Sequence, residues 1–209
     1  MSAHLIWIVL LSLQPAKHDG EAWPERMERM RTTARAIHTA STWATCTGAY
    51  VPTESTPCKP RWTRSQRDLA LLLVTLSWWE SRLALNVHRG ECRAYECDAT
   101  RLANGTIYHR ARTVWQLQRT SLVRGTEWAD MVGTSERQTG TAAVVASRAL
   151  SVSLGRCRTI EGAIAAYAGA GCRWKHAGNR ALFWSRLRTR SNAEHYTLML
   201  KRLRALEGL

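Results

Sequence analysis

Residues 69 to 79 read Leu69-Ala70-Leu71-Leu72-Leu73-Val74-Thr75-Leu76-Ser77-Trp78-Trp79, the most apolar stretch of the chain. A helix built from it is apolar nearly all round through its middle, which marks a buried central helix rather than a surface one. The run is too short to span a bilayer. Other elements must therefore cover it. Glu80 ends the run and Ser81 follows. A carboxylate attached to a segment that has to be buried must be paired, protonated or catalytic, because desolvating a lone carboxylate is costly. Beside indole rings its pKa would rise toward the range in which a carboxylic acid gives up a proton near neutral pH.

At 209 residues the chain fits one globular domain, or one domain with an N-terminal extension. A hydrophobic fraction of 45% argues against disorder. The formal net charge of +14 draws such a surface to polyanions: nucleic acid, anionic lipid or the acidic polymers of a bacterial wall. The basic residues are scattered rather than gathered in a tail, and high-GC coding gives the same excess of Arg. The ten Trp suit carbohydrate stacking, membrane-interface anchoring and core packing equally, so they decide nothing alone.

The six cysteines are Cys46, Cys58, Cys92, Cys97, Cys157 and Cys172. An even number in nearby pairs fits disulfides in an oxidising compartment, and sequential pairing would close three short loops. The rival is zinc held by His88, Cys92, Cys97 and His109, although the Cys92–Cys97 spacing is longer than usual for such a site. At the N-terminus, Leu5 to Leu13 form an apolar run followed by Gln14, Pro15 and Ala16. It matches the core of an export signal but lacks the preceding Lys or Arg, and the alternative is an apolar element packed on the domain.

Helical periodicity recurs along the chain. One helix is expected from about Glu21 to Thr45, with Pro24 in its first turn. Residues 46 to 61 carry Pro52, Pro57 and Pro60 and read as a loop. The buried helix should start near Thr63, where Thr63-Arg64-Ser65-Gln66 forms a capping box, and end near Leu83 or Leu85. A polar, cross-linked loop with a small hairpin is expected over 86–112. Val114 to Gln118 reads as a short strand or a helix start. A helix capped by Ser135 and Gln138 should run to Leu154 and stop at Gly155. Ile160, Ala163, Ile164 and Tyr167 mark one face of the next helix. The last, opening at Ser191, carries a stripe of Tyr196, Met199, Leu203 and Leu206. The fold class is mainly α.

Three segments stand in order on these elements: Trp79-Glu80-Ser81, Val114-Trp115-Gln116-Leu117 and Ala165-Ala166-Tyr167-Ala168-Gly169. Together they resemble the lysozyme-like lytic transglycosylases, including the goose-type lysozyme relatives. That family's pattern is Glu-Ser, a Gly-Leu-Met-Gln-type segment and Ala-Tyr-Asn-Ala-Gly. The resemblance covers roughly residues 63 to 190. The chain departs from it at Val114, where glycine is expected, and at Ala168, where asparagine is expected. The glutamine is Gln116 or Gln118, with Gln116 preferred because Leu117 follows it.

The resemblance implies a lysozyme-like helical domain over 63–209, with a central buried helix and a disulfide-linked loop or small hairpin. Before it come a helix and loop over 21–62 and the apolar or export segment at 1–20. Glu80 would protonate the bond between N-acetylmuramic acid and N-acetylglucosamine in peptidoglycan. One glutamate then serves as acid and base, and a 1,6-anhydro end results. Ser81, Trp115, Gln116 and Tyr167 are the substrate-binding candidates, with Trp115 offering a stacking face and Tyr167 orienting Glu80; the alternative for both aromatic side chains is core packing, which an indole favours over a sugar platform. A water-activating base among Glu91, Glu96 and Asp98 would make the enzyme a hydrolase instead. The other alternative is a non-catalytic basic helical protein that binds wall or nucleic acid. The expected partner is the glycan strand and not nucleic acid, the expected state a monomer, and the expected place the periplasm or cell exterior, as an exported or phage-encoded protein. Weak membrane association through residues 1–20 belongs to the same expectation. No cofactor and no metal are implied.

Overall fold

The computed structural model describes residues 1–13, 20–46, 64–91, 99–109, 111–119, 122–123, 125–167, 172, 198–199 and 201. The protein is mainly helical. Its elements run α1 (Ala3–Ser12), α2 (Trp23–Cys46), α3 (Gln66–Ser81), α4 (Leu85–Arg89), β1 (Ala99–Arg101), β2 (Ile107–His109), β3 (Ala111–Arg112), β4 (Leu117–Gln118), α5 (Glu127–Asp130), α6 (Glu136–Cys157) and α7 (Ile160–Tyr167). They fall into two compact units. The first comprises Met1–Ala40 and Leu76–Ala146, and the second Ser41–Thr75 and Ser147–Leu209.

α3 carries the apolar run, and every residue from Leu69 to Ser77 is buried. Its cap is Ser65, two residues beyond the expected one. Ser65 and Asp68 form the reciprocal box: the Ser65 N–H donates to the Asp68 carboxylate at 3.3 Å, and the Asp68 N–H donates to Ser65 Oγ at 3.1 Å. The Asp68 carboxylate also suits the positive end of the helix.

In the first unit α1 is a packed helix. Ile6 and Leu10 are fully enclosed and Val9 nearly so. Ser2 caps it by accepting the Leu5 N–H, and His38 Nδ1 of α2 lies 2.9 Å from the Met1 carbonyl. Among the described residues, no helix is long and apolar enough to cross a membrane. The polar loop contains the expected hairpin, with Ala99 opposite His109 and Arg101 opposite Ile107. It also contains α4, which the sequence pattern misses. β3 and β4 form a second, tighter hairpin pairing Ala111 with Gln118 and Arg112 with Leu117. Of the Val114–Gln118 segment, Leu117 and Gln118 thus form a short strand, while Val114–Gln116 is the turn before it. Gly133, at φ +131°, brings the chain onto α6, where the Gln138 side chain fills the space a Cβ would need. The Ser135–Gln138 box is present as read, with the Gln138 N–H on Ser135 Oγ at 3.3 Å.

α6 runs through Gly155 and ends only at Cys157, just before Arg158, which takes the left-handed φ of +65°. The expected glycine stop is thus wrong: glycine is tolerated inside a helix, and Arg158 makes the reversal, its N–H on the Leu154 carbonyl at 2.7 Å. In the second unit α7 buries Ala163, Ile164 and Ala165, and Thr159 caps it through the Gly162 N–H. Cys157 and Cys172 are bonded, with Cα atoms 5.1 Å apart, and bracket α7. Cys58, Cys92 and Cys97, of the proposed Cys46–Cys58 and Cys92–Cys97 pairs, lie outside the described residues, as do the proline-rich loop and most of the last helix.

Candidate active site at the end of helix α3

Glu80 sits in the last turn of α3, half-buried, with its Oε1 enclosed. The helix stops one residue later because the chain turns left-handed twice in succession, at Arg82 (φ +49°) and Leu83 (φ +55°). Neither is glycine, and each such position costs on the order of 1–3 kcal/mol unless its surroundings hold it. Several contacts do so. The Arg82 N–H donates to the Trp78 carbonyl at 2.6 Å and the Ala84 N–H to the Ser81 carbonyl at 3.0 Å. Ser81 Oγ donates to the Ser77 carbonyl at 2.8 Å and accepts the Leu83 N–H at 3.1 Å. The Ser81 hydroxyl is thus engaged in ending the helix.

The decisive clamp comes from α2. Arg29 Nη1 donates to the Leu83 carbonyl at 2.7 Å, while its Nε and Nη2 reach Glu21 at 2.7 and 3.0 Å. Arg26 Nε adds a second guanidinium on Glu21 at 3.3 Å. The Glu21 side chain is only 1% exposed and that of Arg29 3%. Burial pushes the Glu21 pKa up, but the hydrogen bonds and charges of Arg29 and Arg26 outweigh it, so the net shift is downward and Glu21 stays ionised. An anion at 21 therefore fixes a turn at 83 through one buried Arg. Trp78 is pinned from α1's side, its Nε1 donating to the Leu13 carbonyl at 3.0 Å.

His88, on α4, is fully enclosed, with Nε2 3.1 Å from Thr139 Oγ1. Burial, reinforced by the charge of Arg29, lowers its pKa to about 3, which keeps the ring neutral. Of the residues in the zinc alternative, Cys92 and Cys97 lie outside the described residues. No group of three or more metal-ligating side chains forms among the described residues.

Gln116 stands in the β3–β4 turn with φ +50°, its N–H on the Thr113 carbonyl at 3.0 Å, and it is half-buried. Trp115 beside it is 0% exposed. It has no face open to a sugar ring, so of the two uses read for it, packing the core holds and the stacking platform does not. Glu80, Ser81, Trp115 and Gln116 all belong to the first unit; Tyr167, half-buried at the end of α7, belongs to the second. A cavity of about 330 Å³ opens in the first unit over Glu21, Glu25, Glu28 and Arg29, and its walls carry neither Glu80 nor Gln116.

Sequence reasoning missed Glu21 and Arg29, and singled out His88 only as a zinc ligand, not as a buried neutral ring bonded to Thr139. Glu21 precedes its helix, and the Arg29–Leu83 contact joins residues 54 apart, so no local pattern signals either. No protein-family model, curated protein or solved structure matches this chain.

Proposed function

We propose that this protein cleaves peptidoglycan between N-acetylmuramic acid and N-acetylglucosamine, with Glu80 as the proton donor, on a lysozyme-like helical scaffold. The observation that carries the reading is the setting of Glu80. A half-enclosed carboxyl ends a helix that is otherwise buried, in a turn whose strained backbone is held by α2. A general acid needs that combination: partial shielding from water and a fixed position relative to the leaving oxygen. Glu21 is enclosed as well, but two guanidinium groups hold it as an anion, so it does not compete for the role of acid.

The reaction proceeds by proton transfer from Glu80 to the glycosidic oxygen as the bond to the anomeric carbon breaks. The same carboxylate then accepts the proton of the attacking hydroxyl. When that hydroxyl is the substrate's own 6-OH, the product is a 1,6-anhydro sugar; when it is water, the product is a reducing end. Gln116 is assigned to bind the glycan backbone. Action at the wall, as an exported or phage-encoded protein, belongs to the same proposal, and the +14 charge favours the anionic polymer.

Digestion of purified sacculi followed by separation of the released fragments tests the reading. Fragments with 1,6-anhydromuramyl ends are expected. Reducing muramyl ends would replace the transglycosylase by a hydrolase, and an absence of released fragments would overturn the enzymatic reading.

A further inference from the structure

Three guanidinium groups of the first unit lie over indole rings: Arg31 over Trp7 at 4.9 Å, Arg82 over Trp78 at 5.2 Å and Arg112 over Trp128 at 4.6 Å. Two of them also have an oxygen to satisfy. Arg31 approaches the Glu28 carboxylate at 3.6 Å, and Arg112 donates to the Trp128 carbonyl at 3.1 Å. The Arg82 side chain makes no ion pair and no hydrogen bond among the described residues, although its head is placed by the ring. The placement is firm at both ends. Trp78 is tied to the Leu13 carbonyl, and the Arg82 backbone is locked left-handed by its N–H on the Trp78 carbonyl.

A guanidinium over an aromatic face keeps its N–H edge available, and that edge matches a carboxylate through two parallel hydrogen bonds. Stacking also removes much of the rotamer freedom that an exposed Arg would otherwise lose on binding. Arg82 stands two residues beyond Glu80, at the same helix end. We infer that Arg82 recognises a carboxylate on the muramyl side of the glycan, next to the bond that Glu80 protonates. This rests on the peptidoglycan reading above and deepens it. The muramyl ring contributes the anomeric carbon of the bond to be broken and carries a lactyl ether on the same ring. The lactyl carboxyl is either free or joined to a peptide that has carboxylates of its own. Both sources present the same group to Arg82, and N-acetylglucosamine presents none. Arg82 is then a specificity-determining residue, separating muramyl strands from neutral chitin-like ones.

The test compares Glu80→Gln with Glu80→Gln/Arg82→Gln, so that ligands bind without being cleaved. Three glycans of equal length serve as probes: a chitooligosaccharide, a muramyl strand with free lactyl groups and a muramyl strand bearing its peptides. Calorimetric titration of the first protein is expected to show tighter binding to a carboxylate-bearing strand than to the chitooligosaccharide. Arg82→Gln should cost about tenfold on that strand and leave the chitooligosaccharide unchanged, which also shows that the variant is folded. A loss on both muramyl strands assigns the lactyl carboxylate, and a loss on the peptide-bearing strand alone assigns the peptide. Equal affinities of the two proteins for all three probes would overturn the role of Arg82 and leave Glu80's standing. Failure of Glu80→Gln itself to bind any glycan would overturn the wall reading and this inference with it.

Discussion

Arg29 serves two ionisable groups with opposite demands: its charge helps keep Glu21 ionised and His88 neutral. Both relations make the fold sensitive to acid. His88 has a folded pKa near 3 against an ordinary 6.5, so the unfolded chain binds the extra proton first. Its contribution is complete above pH 6.5 and drains away between there and about 3, at up to about 1.4 kcal/mol per pH unit. Glu21's pKa is lowered from its ordinary 4.5, so its contribution is present above that value and is lost below it. Chemical denaturation at a series of pH values should show stability falling steadily from pH 6.5 downward. His88→Gln should flatten the upper part of that slope; an unchanged slope would mean that the ring is not held neutral. Glu21→Gln at pH 7 should destabilise by roughly 3–5 kcal/mol, because it leaves Arg29 and Arg26 without their anion. An effect below about 1 kcal/mol would show that the clamp on Leu83 does not depend on the pair.

At the scale of elements, α7 is held at both ends: Thr159 caps its start, and the Cys157–Cys172 bond closes a separation of 15 residues around it. In the chain-entropy description such a loop contributes roughly 3 kcal/mol. Paired replacement by serine should lower stability by about that much in urea unfolding, and the absence of any loss would contradict a bond in the native protein. The elements that the sequence made legible are those whose signal is local and repeated. The apolar run fixed α3, and the Ser135–Gln138 spacing fixed the start of α6. α4 stayed hidden because five residues supply barely one turn of pattern. The end of α6 was misplaced because glycine marks a stop only when the chain turns left-handed there, and Arg158 did so instead. For the candidate site, the sequence showed which carboxylate ends a buried helix. It could not show that Trp115 faces inward, or that Glu21 and Arg29 hold the turn from another helix, since those facts depend on contacts far apart in the chain.

Across the whole molecule, the scattered positive charge and the packed N-terminal helix carry different weights. The charge of +14 provides attraction to an anionic polymer without specifying one. α1, with Ile6, Val9 and Leu10 enclosed and Leu13 tied to Trp78, contributes to the core next to the candidate site. The account of what the protein does rests on one carboxyl group at the end of α3. Its most direct test is digestion of sacculi by Glu80→Gln alongside the unaltered protein, with wall binding and thermal unfolding measured on both. Gln keeps the shape of Glu and cannot deliver a proton, so the variant should unfold and bind like the parent while cleaving about 10²–10⁴-fold more slowly. Cleavage by Glu80→Gln at the parent's rate would contradict the account.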